Sequence, residues 1–231
     1  QDYDDSQDYD DSQDYDDSRD DSEDYLDDSP NNSNHREPRL IYDIYEDSEN
    51  TDILLSYKIC GFSSVNCDDI YPLYIYSDML TGGINSLLLK TLREEEKLVY
   101  TVDSNLDIFN KHGTFNIQYS TDNINIKKTI HLINAILSNY KLKQKDFNKA
   151  KKKTINKLMN QMENPIQRAE FIGTQKILGA NIKSPKAIKA MYENVSIADI
   201  IKTVKRYISP KNINISLITN KAPPKTVLRF K

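Results

Sequence analysis

The hexapeptide Gln-Asp-Tyr-Asp-Asp-Ser occurs three times in succession, at residues 1–6, 7–12 and 13–18, and splits this 231-residue chain into two unlike parts. Residues 1–35 hold 15 Asp and Glu against one basic residue, Arg19, a formal charge of −14. The remaining residues hold 20 acids against 30 Lys and Arg, a formal +10. A like-charged repeat with almost no aliphatic content buries too little surface to offset its ordering entropy, so residues 1–37 are predicted to be a disordered acidic tail or linker. Closely spaced carboxylates can hold calcium, but the Gly turn and closing Glu of an EF-hand loop are missing. Two roles stay open: a solvated spacer, or a tether that competes with acidic ligands and weakens in salt.

The pattern becomes globular from Pro38, so residues 38–231 are the candidate domain. β-branched and aromatic runs at 40–45 and 53–59 predict two strands. A helix is expected from about Asp68 to Leu80, with Asp68 or Asp69 at its start and Gly82 closing it. A second is expected from about Asn85 to Lys97, followed by strands at 98–105 and 114–120 around a loop containing Gly113. Ile124, Ile126, Ile130, Ile133, Ile136 and Leu137 recur at helical spacing. Phe147, Ala150, Ile155, Leu158 and Met159 mark another helix from about Gln144, with Lys149 and Lys151–Lys153 on its outer face. Further helices are predicted at 166–178, 185–192 and 197–208, the last capped by Ser196 and ended before Pro210. Residues 213–218 alternate as a half-buried strand does. Strands separated by helices, with hairpin-like middle strands, make an α+β layer architecture.

Several function classes find no support. No apolar run approaches the ~18–20 residues that cross a bilayer, and no signal peptide is visible, so an intracellular, cytoplasmic protein without a membrane partner is expected. The first residue is Gln1, as expected of a processed product or a piece of a longer polypeptide. Cys60 and Cys67 match no common zinc spacing and make no disulfide framework. The lysine cluster lacks an aromatic platform or a nucleic-acid motif, so nucleic acid is not expected as a partner. There is no local Ser or Cys nucleophile motif.

The most informative segment is Thr81–Val102. Gly82-Gly83 opens an apolar helix, Arg93 lies near its end, and Tyr100 follows seven residues later, just before a strand. This layout resembles the substrate-contacting segment of the pitrilysin/insulinase (inverzincin) family of zinc metallopeptidases, and the resemblance spans roughly residues 39–220. The weaker Asp146–Lys151 stretch resembles a family helix that opens after an acidic residue and carries an Ala-Lys pair. The family's zinc-binding His-x-x-Glu-His is nowhere among His35, His112 and His131. Three positions depart from the family pattern: Ile84 replaces the third glycine, Leu87 stands where arginine is frequent, and Lys97 stands where glycine is common.

The resemblance implies one domain of that fold, an antiparallel sheet with helices packed on one face. It further implies the C-terminal, non-zinc-binding, substrate-gripping half of a zinc metalloendopeptidase, inactive by itself. Its partners would be a peptide or unfolded protein substrate and a zinc-binding half supplied in cis or in trans, with no metal bound by this chain. Arg93 and Tyr100 match the family's arginine and tyrosine that reach toward the zinc site, and Gly82 and Gly83 match a turn lining the substrate chamber. A guanidinium offers fixed donors to a peptide carbonyl and a phenol can stabilise an oxyanion. Taken alone, Arg93 could equally be a surface partner of Glu94–Glu96, and Tyr100 is one of 15 tyrosines. In a single-chain enzyme the acidic repeat would join the halves, since about 36 residues reach ~120 Å when extended. The alternative is a scaffold that keeps the fold without the chemistry, as core subunits of a respiratory complex do in this family.

Overall fold

A computed structural model of the chain describes residues 39–139, 141–178 and 182–223, so the acidic stretch 1–37 lies outside the described residues. The described elements, in chain order, are β1 (Arg39–Ile44), β2 (Thr51–Cys60), α1 (Ile70–Thr81), a π-helix (Leu89–Glu95), β3 (Val102–Ile108) and β4 (His112–Thr121). They continue as α2 (Ile126–Leu137), α3 (Gln144–Glu163), α4 (Pro165–Ile177), α5 (Pro185–Asn194), α6 (Ile197–Tyr207) and β5 (Ile213–Thr219).

The strands form one sheet in the order β1-β5-β2-β4-β3. From β5 through β2 and β4 to β3 it is antiparallel, and β1 joins the edge parallel to β5, making the sheet mixed. The parallel pair joins the first and last described strands, with every helix between them. Parallel neighbours need such a long crossover.

Alternation along the strands decides which face is covered. Ile53, Leu55, Tyr57 and Ile59 of β2, Phe115, Ile117 and Tyr119 of β4, and Ile213, Ile215 and Leu217 of β5 are all buried. Their neighbours Asp52, Lys58, Gln118, Ser120, Ser216 and Ile218 are exposed. The buried set meets helices: the Tyr76 ring of α1 lies 6.2 Å from that of Phe115, and α2 receives hydrogen bonds from Tyr57 (to Asn134, 3.4 Å) and Tyr119 (to Thr129, 3.2 Å). The opposite face, mostly polar and left uncovered by the described residues, is where an antiparallel sheet can meet water.

Helix α1 is the central helix, apolar nearly all round, and touches β3, α3, α5 and α6. Its end also protects the sheet. The Ser77 hydroxyl donates to the Ser104 carbonyl at 3.0 Å, and the Ser104 N–H donates to the Thr81 hydroxyl at 3.2 Å. Those side chains occupy backbone groups of edge strand β3 that would otherwise invite a foreign strand.

Two expectations are adjusted. Asp69 sits at the N-cap of α1 without making a capping bond, because its carboxylate accepts instead from Arg206 and Tyr207 of α6. The helix expected over 85–97 is a π-helix over 89–95, and the next strand starts at Val102 rather than Leu98.

Candidate functional site

The segment from Gly82 to Thr101 leaves α1 and returns to β3, and the Thr81–Ser104 contacts close its base. Gly82 closes α1, its N–H donating to the Asp78 carbonyl at 2.9 Å. A Cβ at this position would overlap that same carbonyl oxygen, so the turn requires glycine. Gly83 has φ 156°, a conformation that L-residues rarely adopt, and faces open space.

The turn is braced from α3. The Lys153 ammonium donates to the Gly82 carbonyl at 2.5 Å and pairs with Asp78 at 3.1 Å, while the Thr154 hydroxyl donates to Asp78. Sequence reasoning missed these three bracing residues. It had placed Lys151 and Lys153 on an outer face, yet Lys151 donates to the carbonyls of Glu193 (2.5 Å) and Val195 (2.9 Å). Long lysine stems let both reach back to backbone carbonyls from a surface position. Lys149 and Lys152 remain exposed.

Leu88 and Leu92 are fully buried and anchor the π-helix, which turns Arg93 outward. A π-turn bond from Glu96 N–H to the Thr91 carbonyl ends the helix at 3.0 Å. Lys97 then adopts φ 53°, the left-handed region that a non-glycine residue enters at a cost of roughly 1–2 kcal/mol. Three contacts hold it there: Leu98 N–H to the Leu92 carbonyl (2.8 Å), Thr121 hydroxyl to the Leu98 carbonyl (2.7 Å) and Glu96 to Lys128 of α2 (2.8 Å). Lys97 thus keeps the backbone shape expected of a glycine at this place.

The two residues expected to act together do meet. The Arg93 guanidinium carbon lies 5.0 Å from the centroid of the Tyr100 ring, a cation–π arrangement, and Tyr100 is 80% exposed. Arg93 also pairs with Glu94 at 3.6 Å. Exposed ion pairs contribute little, about 0–1 kcal/mol, so Glu94 does not prevent the guanidinium from taking another acceptor. Thr101, the next residue, lines a trough of about 440 Å³ on the uncovered sheet face. Asp52 and Asp103 border that trough beside the apolar side chains of Leu54 and Ile218.

Neither histidine in the described residues joins a ligand set. His112 is exposed at the start of β4 and His131 is half-buried in α2. Among the described residues no group of three or more His, Cys, Asp or Glu could hold a metal ion. The described residues therefore offer no ligand set that fits zinc. Cys60 is a buried free thiol, its pKa raised by burial, and Cys67 is a half-buried one. No helix among the described residues is long and apolar enough to cross a membrane.

Comparison with known proteins agrees with this geometry. The family model "Peptidase M16 inactive domain" matches residues 14–154, more than half of the chain. An "uncharacterized zinc protease" of Rickettsia bellii (strain RML369-C) is 27% identical over 172 residues, covering 72% of this chain and 40% of the relative. A protein of the same description from Rickettsia felis is 23% identical over 168 residues, with the same coverage. The chain thus spans about 40% of the length of these curated relatives. Among solved structures, a protease from Helicobacter pylori superposes with a TM-score of 0.70 at 14% identity, over 80% of this chain and 45% of that one. The peptidase M16 inactive domain from Pseudomonas fluorescens gives 0.69 at 15% identity, over 82% and 45%. A chain of complex III2 from Candida albicans gives 0.70 at 12% identity, over 84% and 49%. With the glycine turn, the paired Arg93 and Tyr100 and the missing zinc motif in view, the chain belongs to the peptidase M16 family, the pitrilysin/insulinase metallopeptidases, as its inactive domain.

Proposed function

We propose that this domain is the substrate-gripping half of a zinc metalloendopeptidase that hydrolyses peptides or unfolded proteins. The observation that carries this is the Arg93 guanidinium stacked at 5.0 Å on the exposed Tyr100 ring. Held over the ring, with its Nε paired to the exposed Glu94, the guanidinium keeps further N–H donors for a peptide carbonyl. The hydroxyl of the exposed Tyr100 can donate to an oxyanion developing at the scissile carbonyl. The zinc and the general base belong to the other half, in cis or in trans. In the single-chain version, residues 1–37 are the linker between halves.

The experiment is turnover of an unstructured peptide by the complete enzyme carrying Arg93→Ala or Tyr100→Phe. A loss of about 10²–10³ with the fold intact is expected for removal of an oxyanion donor. Near-wild-type rates for both would remove the proposed role. A scaffold role is the second reading, since the fold superposes equally well, at a TM-score of 0.70, on the complex III2 chain and on the bacterial protease. A scaffold would show no Arg93-dependent affinity for peptide.

A further inference from the structure

Protein interiors are close-packed, with few voids larger than a water molecule. Against that background, a half-enclosed cavity of about 300 Å³ lies between α1, α3, α4 and α5, and one of its lining residues, Thr154, also braces the Gly82 turn through Asp78. This volume is at the small end of ligand sites, which run from about 300 to 1,000 Å³. Five aromatic side chains line it: Phe62, Tyr71, Tyr74, Phe171 and Tyr192. Its wall contains no carboxylate, and its one charged residue is Lys157, which is exposed.

We propose that this cavity binds an apolar carboxylate of the size of a medium-chain fatty acid, tail inward among the rings and head at Lys157. The wall is mainly aromatic and aliphatic, with Thr154, Gln161 and Gln175 as its neutral polar members, and so disfavours a charged body, since burying an unpaired charge is very costly. The single cation selects an anionic head over a cationic one. Burial pushes the Tyr74 phenol up to about 12, with Asp107 and Tyr71 adding to the shift, and raises Tyr192 well above its ordinary value. Both hydroxyls thus stay protonated at neutral pH and add no negative charge to the wall. Tyr71 is already engaged by Lys183, whose ammonium lies 3.5 Å from its hydroxyl. On the far side of the cavity Gln175 is the buried residue of α4.

Isothermal titration of the whole chain with sodium decanoate tests this. Saturable one-to-one binding is expected, about tenfold weaker in Lys157→Gln and weaker for decanol than for decanoate. Leu158→Phe, which fills the cavity, should abolish binding. If Leu158→Phe does not fold, Lys157→Gln decides, because its side chain is exposed and its removal leaves the core intact. No saturable heat, or a decanoate affinity unchanged in Lys157→Gln and equal to that of decanol, would overturn the proposal.

Discussion

The α6–β5 region and the 82–101 segment obey local rules to very different degrees. Helix α6 opens with a complete capping box: the Ser196 hydroxyl accepts from Asp199 N–H at 3.2 Å, and the Asp199 carboxylate accepts from Ser196 N–H at 2.8 Å. Ile200, Thr203 and Val204 then fall on its buried face, and β5 alternates cleanly. In the 82–101 segment nearly every local rule is strained. It has a glycine turn that no Cβ fits, a π-helix, a lysine at positive φ, and a buried Ser86 hydroxyl with no hydrogen-bond partner among the described residues. Where a segment only has to be stable, propensity, capping and packing agree. Departures gather in the segment that presents Arg93 and Tyr100, and strained backbone and π-turns cluster at functional sites.

That contrast can be broken by substitution. The largest expected effects are on opposite properties. Arg93→Ala should cost about 10²–10³ in turnover of the complete enzyme while its thermal melt stays within the ~0.5 kcal/mol typical of exposed changes. Ile200→Ala, at a fully buried position of α6, should cost ~2–5 kcal/mol in denaturant unfolding. If Arg93→Ala lowered stability that much, the pair would be structural. Gly82→Ala comes next: forcing a Cβ against the Asp78 carbonyl should destabilise by ~1–3 kcal/mol in the same unfolding experiment.

Smaller again is the capping box. Ser196→Ala should cost about 1 kcal/mol by thermal melt. Its pH dependence has a definite sign. Side-chain and backbone hydrogen bonds from Ser196 lower the Asp199 pKa in the folded chain. The stability it contributes is therefore present above its unfolded pKa, near ~3.9, and is lost as pH falls through the lower folded value. Melts of the wild type and Asp199→Asn should differ at pH 7 and converge at acid pH. The smallest change is Lys97→Gly. It relieves the left-handed strain but loosens the unfolded chain, so stability should rise by less than ~1 kcal/mol. A clear loss would show that the Lys97 side chain, not only its backbone, supports the turn.

Most of the scaffold was readable because burial and periodicity coincide. Of the six positions expected at helical spacing, Ile126, Ile130, Ile133 and Leu137 are buried in α2, Ile136 is half-buried and Ile124, just before the helix, is exposed, and the Ser196 cap is where its residue type placed it. The mixed sheet was not readable, because the β1–β5 pairing depends on a contact between residues 39–44 and 214–219 that leaves no local mark. The π-helix was hidden for a related reason: Leu88 and Leu92 keep a four-residue spacing that fits an ordinary helix. At the site, the resemblance of the Gly82–Tyr100 layout to the family's substrate-contacting segment pointed to the pair. The Lys153 and Asp78 brace was invisible because it joins α3 to the end of α1 across 75 residues of chain.

Peptide affinity separates a substrate-gripping half from a scaffold. It should be measured in the assembled enzyme with its general base silenced, so that binding is read without turnover. With Arg93 and Tyr100 as the gripping pair, Arg93→Ala should weaken binding of an unstructured peptide by about tenfold or more, a loss of at least ~1.4 kcal/mol, with the fold unchanged. Equal affinity in wild type and variant would contradict that role and leave the fold as a scaffold.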